Sequence, residues 1–184
     1  MNDTLVIIPT YNERDNLVSM IEKVFSLEQG FDLLIIDDNS PDGTADLVKN
    51  LQKKFTENLH LIQREGKLGL GTAYIKGFKW GLNHSYKYIC EMDCDFSHNP
   101  DDLPRLRKAL IDGSDVAVGS RYIAGGGVHN WPKRRILLSR GASIYARLIT
   151  GIPVQDTTAG FVCYKREFLE NLNMDKIVFK GYAF

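Results

Sequence analysis

Short apolar runs alternate with amphipathic stretches over the first 122 residues, and this alternation constrains the fold more than any other feature. LVIIP at 5–9 and FDLLII at 31–36 are apolar on both faces, which is typical of strands inside a sheet that is covered on both sides. Between such runs, apolar residues recur at helical spacing; the first set is Leu17, Met20, Ile21, Val24 and Phe25. The sequence therefore predicts an α/β fold with a mainly parallel central sheet and helices on both faces.

Polar or charged residues follow each of the five predicted strands. They are Pro9 to Tyr11, Asp37 and Asp38, Arg64 to Lys67, Asp93 to Asp95, and Gly119 to Arg121. The carboxyl ends of parallel strands meet at one rim, and ligands of open α/β sheets bind in the crevice beyond that rim. We therefore expect these residues to line a single binding crevice.

The fourth predicted strand ends in two carboxylates one residue apart, Asp93 and Asp95. Like charges at this distance repel and raise each other's pKa unless a cation lies between them or water surrounds them. A divalent ion such as Mg²⁺ takes one or two carboxylates, and phosphate oxygens and water complete its shell. A turn or a helix cap would equally explain an isolated D-x-D pair, so the motif alone leaves both interpretations open.

Two further strand ends carry candidate ligand groups. Asp38 could accept a hydrogen bond from a ribose hydroxyl or a base N–H, whereas Asp42 suits an Asx turn. The loop REGKLGLGTA at 64–73 matches neither a Walker motif nor a dinucleotide fingerprint. Its glycines Gly69 and Gly71 predict a helix N-terminus that approaches a ligand closely, and Lys67 could either reach a phosphate or remain solvated.

Acidic residues are absent between 116 and 155, although the whole chain balances 23 Lys and Arg against 23 Asp and Glu. The basic residues of that span are Arg121, Lys133, Arg134, Arg135, Arg140 and Arg147. Such a patch attracts phosphate or an anionic membrane, unless it is only the solvated face of a helix. We read 129–150 as a basic amphipathic segment, either interfacial and acceptor-binding or a core helix with a basic outer face. Nucleic-acid binding is disfavoured, because no recognised fold or stacking array accompanies the charge.

Three cysteines, Cys90, Cys94 and Cys163, fit no zinc framework, and we expect reduced thiols in a cytosolic setting. Neither a signal peptide nor an apolar run of about 20 residues is present. The ending FKGYAF suggests a domain cut from a longer protein. No G-x-S-x-G elbow or histidine triad indicates a nucleophile.

Six ordered motifs carry a resemblance to a known family. They are LVIIPTYNERDNL, IIDDNSPDGTAD, KLGLGTAYIKGF, EMDCDFSHNPDDLPRL, VGSRY and DTTAGF. Together they resemble glycosyltransferase family 2 and, within it, the polyprenyl-phosphate (dolichyl-phosphate) mannose synthases. The likeness implies a single GT-A, Rossmann-like catalytic domain over 1–184. It implies inverting transfer of a hexose, mannose from GDP-mannose, to a polyprenyl or dolichyl monophosphate, by a protein peripheral to the cytoplasmic face of a membrane.

The resemblance also implies roles for individual residues. Pro9, Tyr11 and Glu13 would line the base and ribose, and Asp38 would contact the nucleoside. Asp93 and Asp95 would hold Mg²⁺ or Mn²⁺, with Asp95 most directly on the metal. Asp156 would lie near the transferred sugar. The residues that would hold the acceptor and donor phosphates are Arg121 and one of Arg134, Arg135 and Arg140.

Physical chemistry agrees with these roles, because a departing nucleoside diphosphate needs a cation and positive side chains. A phosphate acceptor is already an anion near neutral pH and needs arginines more than a general base. Three alternatives remain open at this point: a UDP-sugar such as UDP-glucose as donor, a saccharide as acceptor, and a non-catalytic nucleotide- or membrane-binding module.

Overall fold

A computed structural model describes residues 2–123, 126–127 and 132–177, with the backbone alone of Lys133 and Arg135. The strands are β1 (Thr4–Thr10), β2 (Asp32–Asp37), β3 (Leu59–Gln63), β4 (Tyr88–Glu91), β5 (Val116–Val118) and β6 (Val162–Lys165). The helices are α1 (Arg14–Phe25), α2 (Thr44–Gln52), α3 (Leu70–Leu82), α4 (Leu103–Ile111), α5 (Lys133–Thr150) and α6 (Arg166–Glu170). Short 3₁₀ turns form at Pro100–Asp102 and Met174–Lys176.

The strands form one six-stranded sheet in the order β3-β2-β1-β4-β6-β5. β1 pairs in parallel with β2 and β4, and β2 pairs in parallel with β3. β6 runs antiparallel to both β4 and β5, so β5 points the same way as β1 to β4. The carboxyl ends of the first five strands therefore meet at one rim, as predicted. The start of β6 brings the loop 156–161 to that same rim.

Helices cover both faces of the sheet, which explains why β1 and β2 are apolar on both sides. On one face α1, α2 and α4 pack around alternate strand residues such as Val6 and Ile35. On the other face α3 and α6 pack around Ile7 and Ile36. This layering confirms the predicted α/β class.

Two glycines bring α3 close to the sheet. A Cβ at Gly77 would lie 2.7 Å from Cγ2 of Ile7, and one at Gly81 would lie 2.7 Å from Cδ1 of Ile89. Any larger residue at either position would push the helix outward. The close packing sets the position of Tyr74, one turn earlier in α3, relative to the end of β4.

Two expectations need correction. The run DVAVGSRY at 115–122 predicts the fifth strand, with Gly119 to Arg121 at its carboxyl end. The strand is shorter, Val116–Val118, because Gly119 to Tyr122 already leave the sheet for the rim. The expectation of reduced thiols is also wrong for two of the three cysteines, because Cys90 and Cys163 form a disulfide. They are directly opposite each other in the antiparallel β4–β6 register, a pairing that sequence spacing did not reveal. Cys94 stays a buried free thiol.

Helix α5 is oriented with its small polar side chains toward the protein and its large apolar side chains outward. Ser143 is buried, and its hydroxyl contacts Thr157 at 3.5 Å. The exposed apolar residues are Leu137, Leu138, Ile144, Tyr145, Leu148 and Ile149, with 56–80% of their surface accessible. Among the described residues, the apolar side chains of this segment are therefore not packed into a core. The part at 129–131 lies outside the described residues. Among those that are described, none of the helices combines the length and the apolarity needed to cross a bilayer.

Candidate active site

A cleft opens at the carboxyl rim of the sheet, where the sequence predicted one. Its lining residues are Pro9, Thr10, Tyr11, Glu13, Asp38, Lys67, Gly69, Leu70, Ala73, Asp93, Cys94 and Asp95. The structure thus brings seven of the predicted site residues together around one space. The side chain of Lys67 lies across the ring of Tyr11, with its Nζ 4.5 Å from the ring centroid, which is a cation–π distance.

Asp38 lines the cleft but is already paired. Arg64 donates to both of its carboxylate oxygens, from Nε to Oδ1 and from Nη2 to Oδ2, the latter at 2.6 Å. Both residues are 7% exposed. The sequence placed Asp38 and Arg64 at the same rim and expected both to line the cleft. Arg64 is not among the lining residues, because it lies behind Asp38 and pairs with it, and no local pattern shows that pairing.

The neighbouring acids have structural roles. Asp37 is buried and accepts hydrogen bonds from Thr10 Oγ1 at 3.1 Å and from the backbone of Ser40 at 3.0 Å, which ties β1 to the loop after β2. Asp42 accepts from the backbone and hydroxyl of Thr44 at the start of α2. The predicted local role of Asp42 is confirmed.

Asp93 lies at the floor of the cleft. Its Oδ1 accepts a hydrogen bond from the buried hydroxyl of Tyr74 at 3.2 Å, and its backbone N–H donates to Nδ1 of His98 at 3.1 Å. Burial raises the pKa of Asp93, and the nearby charge of Asp95 adds to this increase. The carboxylate is therefore held in place by protein groups while its negative charge remains costly.

Glu91 precedes Asp93 by two residues and, by strand periodicity, faces the same side. Its Oε1 accepts from the hydroxyl of Tyr164 at 2.9 Å, whereas Oε2 is buried and has no hydrogen-bond partner among the described residues. Burial raises the pKa of Glu91 to about 8, with a contribution from Asp93. Period-2 alternation from Asp93 could have identified this residue in the sequence.

Asp95 is exposed at the turn after β4, in a different environment from Asp93. Burial acts to raise the pKa of Asp95, but hydrogen bonds from Ser97 and the proximity of His98 outweigh it, so the pKa is lowered. The backbone N–H of Ser97 donates to Oδ1 at 2.9 Å. Phe96 between them has a φ of 59°, a left-handed conformation that is rare for a bulky residue. The turn thus presents one ionised carboxylate beside a more buried one.

His98 connects this turn to the loop before β6. Its ring stacks on Phe161 at a centroid distance of 5.2 Å. Desolvation lowers the pKa of His98. The charges of Asp93 and Asp95 act to raise it, and the charge of Arg121 lowers it further. The sequence showed no histidine triad and gave His98 no role, because no linear signal places it among these charges.

Arg121 and Asp156 form a second ion pair at the rim. Arg121 donates from Nε to Oδ2 at 2.7 Å and from Nη2 to Oδ1 at 2.6 Å, and its Nη2 also reaches Thr158 Oγ1 at 2.6 Å. Burial acts to raise the pKa of Asp156, but the hydrogen bonds from Arg121 outweigh it and the pKa is lowered. The structure thus brings these two predicted residues together, and it shows that they bind each other.

Arg140, on α5, lies near this pair. Its guanidinium carbon is 5.1 Å from the ring centroid of Tyr122, and that of Arg121 is 5.6 Å from the same ring. Arg134 is exposed on the first turn of α5, and the side chain of Arg135 lies outside the described residues. At least two guanidinium groups thus gather around Tyr122.

A family model described as glycosyl transferase family 2 matches residues 5–172. The chain belongs to glycosyl transferase family 2. It is 46% identical over 181 residues to a polyprenol monophosphomannose synthase of Mycolicibacterium smegmatis, a match that covers 98% of this chain and 68% of the relative. It is 41% identical over 180 residues to an undecaprenyl-phosphate mannosyltransferase of Micrococcus luteus, covering 98% and 73% respectively.

A third relative of this glycosyltransferase is a dolichol-phosphate mannosyltransferase of Pyrococcus furiosus, 38% identical over 181 residues; the match covers 95% of this chain and 49% of the relative. Among solved structures, a mannosyltransferase of Pyrobaculum calidifontis in complex with GDP-Man and Mn²⁺ superposes with a TM-score of 0.62 at 20% identity, over 93% of this chain and 46% of the other. This likeness shows the GT-A fold. The chain spans about half the length of that structure, and between half and three quarters of the relatives' lengths.

Proposed function

We propose that this glycosyltransferase transfers mannose from GDP-mannose to a polyprenyl monophosphate at a membrane surface, with inversion and with a bound divalent cation. The proposal rests on three relatives that are 38–46% identical to this chain. The name of each refers both to mannose and to a phosphate of the polyprenyl type. A cleft with a carboxylate pair and arginines at one rim supports the proposal.

The residues at the end of β4 fit a divalent cation. Among the described residues no three His, Cys, Asp or Glu side chains group as metal ligands, so Asp93 and Asp95 alone would hold the ion. Mg²⁺ and similar hard ions are commonly bound by one or two carboxylates when substrate phosphates supply the other ligands. The raised pKa of Asp93 beside Asp95 indicates an uncompensated charge that a cation would relieve. A cation bound there would stabilise the negative charge of the departing diphosphate.

The remaining lining residues suit the nucleoside of the donor. Tyr11 is 39% exposed and presents an aromatic surface at the cleft, with Pro9 and Glu13 beside it. Lys67 lies over that ring and is placed to meet either the base or a phosphate. Asp38 would accept a hydrogen bond from the nucleoside with the lone pairs that Arg64 does not use.

The acceptor phosphate would bind beside Arg121 and Arg140. Guanidinium groups form charge-assisted hydrogen bonds with phosphate, and those of Arg121 and Arg140 gather around Tyr122. In the transfer, a phosphate oxygen of the acceptor forms a bond to the anomeric carbon while the bond from that carbon to the β-phosphate of GDP breaks. The attacking oxygen is already anionic, so these residues need only hold it in line.

The polyprenyl chain and the membrane would lie against the outer face of α5. That face exposes large apolar side chains, including Leu148 at 80% and Leu137 at 73%, next to the basic residues Arg140 and Arg147. Apolar residues flanked by arginines are typical of helices that lie in the interface of anionic membranes.

Calorimetric titration tests the donor and the metal. Wild-type protein is titrated with GDP and with UDP, each with Mn²⁺, with Mg²⁺ and with EDTA. We expect the protein to bind GDP more tightly than UDP. EDTA should abolish this binding, and Asp95→Asn should weaken it at least about tenfold. Asp112→Asn, which removes a surface carboxylate at the end of α4, is the matched control and should bind normally. A preference for UDP would replace the donor, and equal binding by Asp95→Asn would refute the metal site.

Transfer of radiolabelled mannose then tests the acceptor. Label should enter the organic phase with a polyprenyl monophosphate and not with a polyprenol that lacks the phosphate. Label transferred to an oligosaccharide instead would refute the lipid-phosphate acceptor, and binding of GDP and liposomes without any transfer would favour a non-catalytic module.

A further inference from the structure

Arg64 lies behind the cleft and has no role in the proposed chemistry. We propose that Arg64 is a positioning residue that holds the nucleoside end of the cleft in its binding conformation, acting through Asp38 and the first turn of α3. The inference rests on the proposed function, because it assumes that a nucleoside diphosphate occupies the cleft.

The fork of Arg64 fixes the carboxylate of Asp38 in two directions. Nε and Nη2 each donate to a different oxygen, so the carboxylate can neither rotate nor tilt without breaking a hydrogen bond. The two side chains are only 3% and 10% exposed. A lysine could supply the charge but not the paired geometry, because its ammonium is a single point.

The same guanidinium also holds the start of α3. Nη1 donates to Thr72 Oγ1 at 2.7 Å, and Nη2 donates to the carbonyl of Gly69 at 3.2 Å. Gly69 has a φ of 104°, which a residue with a side chain rarely adopts, and no side chain in the described part of the chain caps the helix there. Arg64 therefore joins the ends of β2 and β3 to the loop and helix that form one wall of the cleft.

Arg64 itself does not line the cleft, whereas Asp38, Gly69 and Leu70 do. Its effect on a ligand must therefore pass through these residues. A wall that is already ordered before binding avoids the cost of ordering it on binding, which raises affinity without a new contact.

The sheet order indicates which end of the ligand this wall meets. β2 and β4 lie on opposite sides of β1, so their ends are about 10 Å apart at the usual strand spacing. Asp93 and Asp95 follow β4 and would meet the diphosphate through the cation. The wall beside Asp38, at the other end, would meet the nucleoside.

The test compares two probes that both contain a diphosphate group, of which only one carries a nucleoside. Wild type and Arg64→Met are titrated with GDP and with inorganic pyrophosphate, both with Mn²⁺. We expect the affinity for GDP to fall about tenfold or more, while the affinity for pyrophosphate stays within about twofold. A general loss of structure would weaken both probes equally and would overturn the proposal.

A matched control comes from a bidentate pair at the opposite rim of the sheet, where the parallel strands begin. Arg107 donates to Asp3 from Nε at 3.0 Å and from Nη2 at 2.7 Å, beside the start of β1. Arg107→Met should lower the unfolding temperature but leave the binding of both probes unchanged. Loss of GDP affinity in this control would show that the measured affinity follows the stability of the protein and not the position of Arg64.

Two further variants keep the proposal open to refutation. Should Arg64→Met fail to fold, Arg64→Lys retains the charge without the fork and should show the same split between the probes. In an Asp38→Asn background, Arg64→Met should weaken GDP binding by less than when Asp38 is intact, because the two act together. Normal GDP binding by a folded Arg64 variant would refute this inference alone. Failure of the wild type to bind GDP or UDP would refute the proposed function itself.

Discussion

Replacing Glu91 by Gln should remove the pH dependence of stability that comes from the buried carboxyl group of Glu91. Burial raises the pKa of Glu91 to about 8 in the folded protein, from a usual value of 4.5. The folded protein thus keeps this proton up to about pH 8, whereas the unfolded chain releases it near pH 4.5. The resulting stabilisation is complete below pH 4.5 and is lost as the pH rises toward 8.

The magnitude follows from the width of that window. Each pH unit inside it changes the free energy of unfolding by up to about 1.4 kcal/mol. Between pH 5.5 and pH 7.5 the wild type should lose about 2–3 kcal/mol of stability relative to Glu91→Gln. Gln keeps an oxygen that can accept the hydrogen bond from Tyr164, and it does not ionise.

Urea unfolding of both proteins at several pH values between 5 and 8.5 measures the effect. Only the difference between the two curves is interpreted, because the other titratable groups contribute to both proteins alike. A difference that stays constant across the window would refute the reasoning, since it would mean that Glu91 ionises in the folded protein much as it does in the unfolded chain.

Three further expectations concern the site and its surroundings. Tyr74→Phe removes the hydroxyl that donates to Asp93 at 3.2 Å and should weaken Mn²⁺-dependent GDP binding about tenfold, measured by titration; unchanged binding would show that this hydrogen bond does not orient the carboxylate. Leu148→Gln should lower binding to anionic liposomes about tenfold in a flotation assay, with no change in unfolding temperature, because the side chain is 80% exposed; equal flotation would exclude this face as the membrane contact. The Cys90–Cys163 disulfide spans 73 residues of sequence, and its reduction should cost about 2–4 kcal/mol, seen as a lower urea midpoint. Cys163→Ser should not respond to the reductant, and a wild type that is equally insensitive would contradict the cross-link.

Helix α5 shows why composition could not determine which face of a helix is turned toward the protein. The sequence contained the apolar residues and the arginines of this segment, and two orientations were compatible with them. Only packing decides between these, because a helix buries the face that fits its neighbours. Here the inward face carries Ser139 and Ser143, which meet the hydroxyls of Thr158 and Thr157.

The sequence by itself determined the fold class and the place of the site. Strands that are apolar on both faces can only be buried between helix layers, and parallel strands must end at one rim, so the polar strand ends had to converge. The family also followed from six ordered motifs, and the match over residues 5–172 confirms it. These conclusions depend on periodicity and on order along the chain, both of which are present in the sequence.

Only the tertiary structure decided which partner each polar group has. Arg64 meets Asp38, Arg121 meets Asp156, and Cys90 meets Cys163 across separations of 26, 35 and 73 residues. Such pairs form because strand order and register bring distant segments into contact, and no local pattern encodes that contact. The environment that raises the pKa of Glu91 and Asp93 has the same origin, since burial is a property of the folded protein and not of the chain.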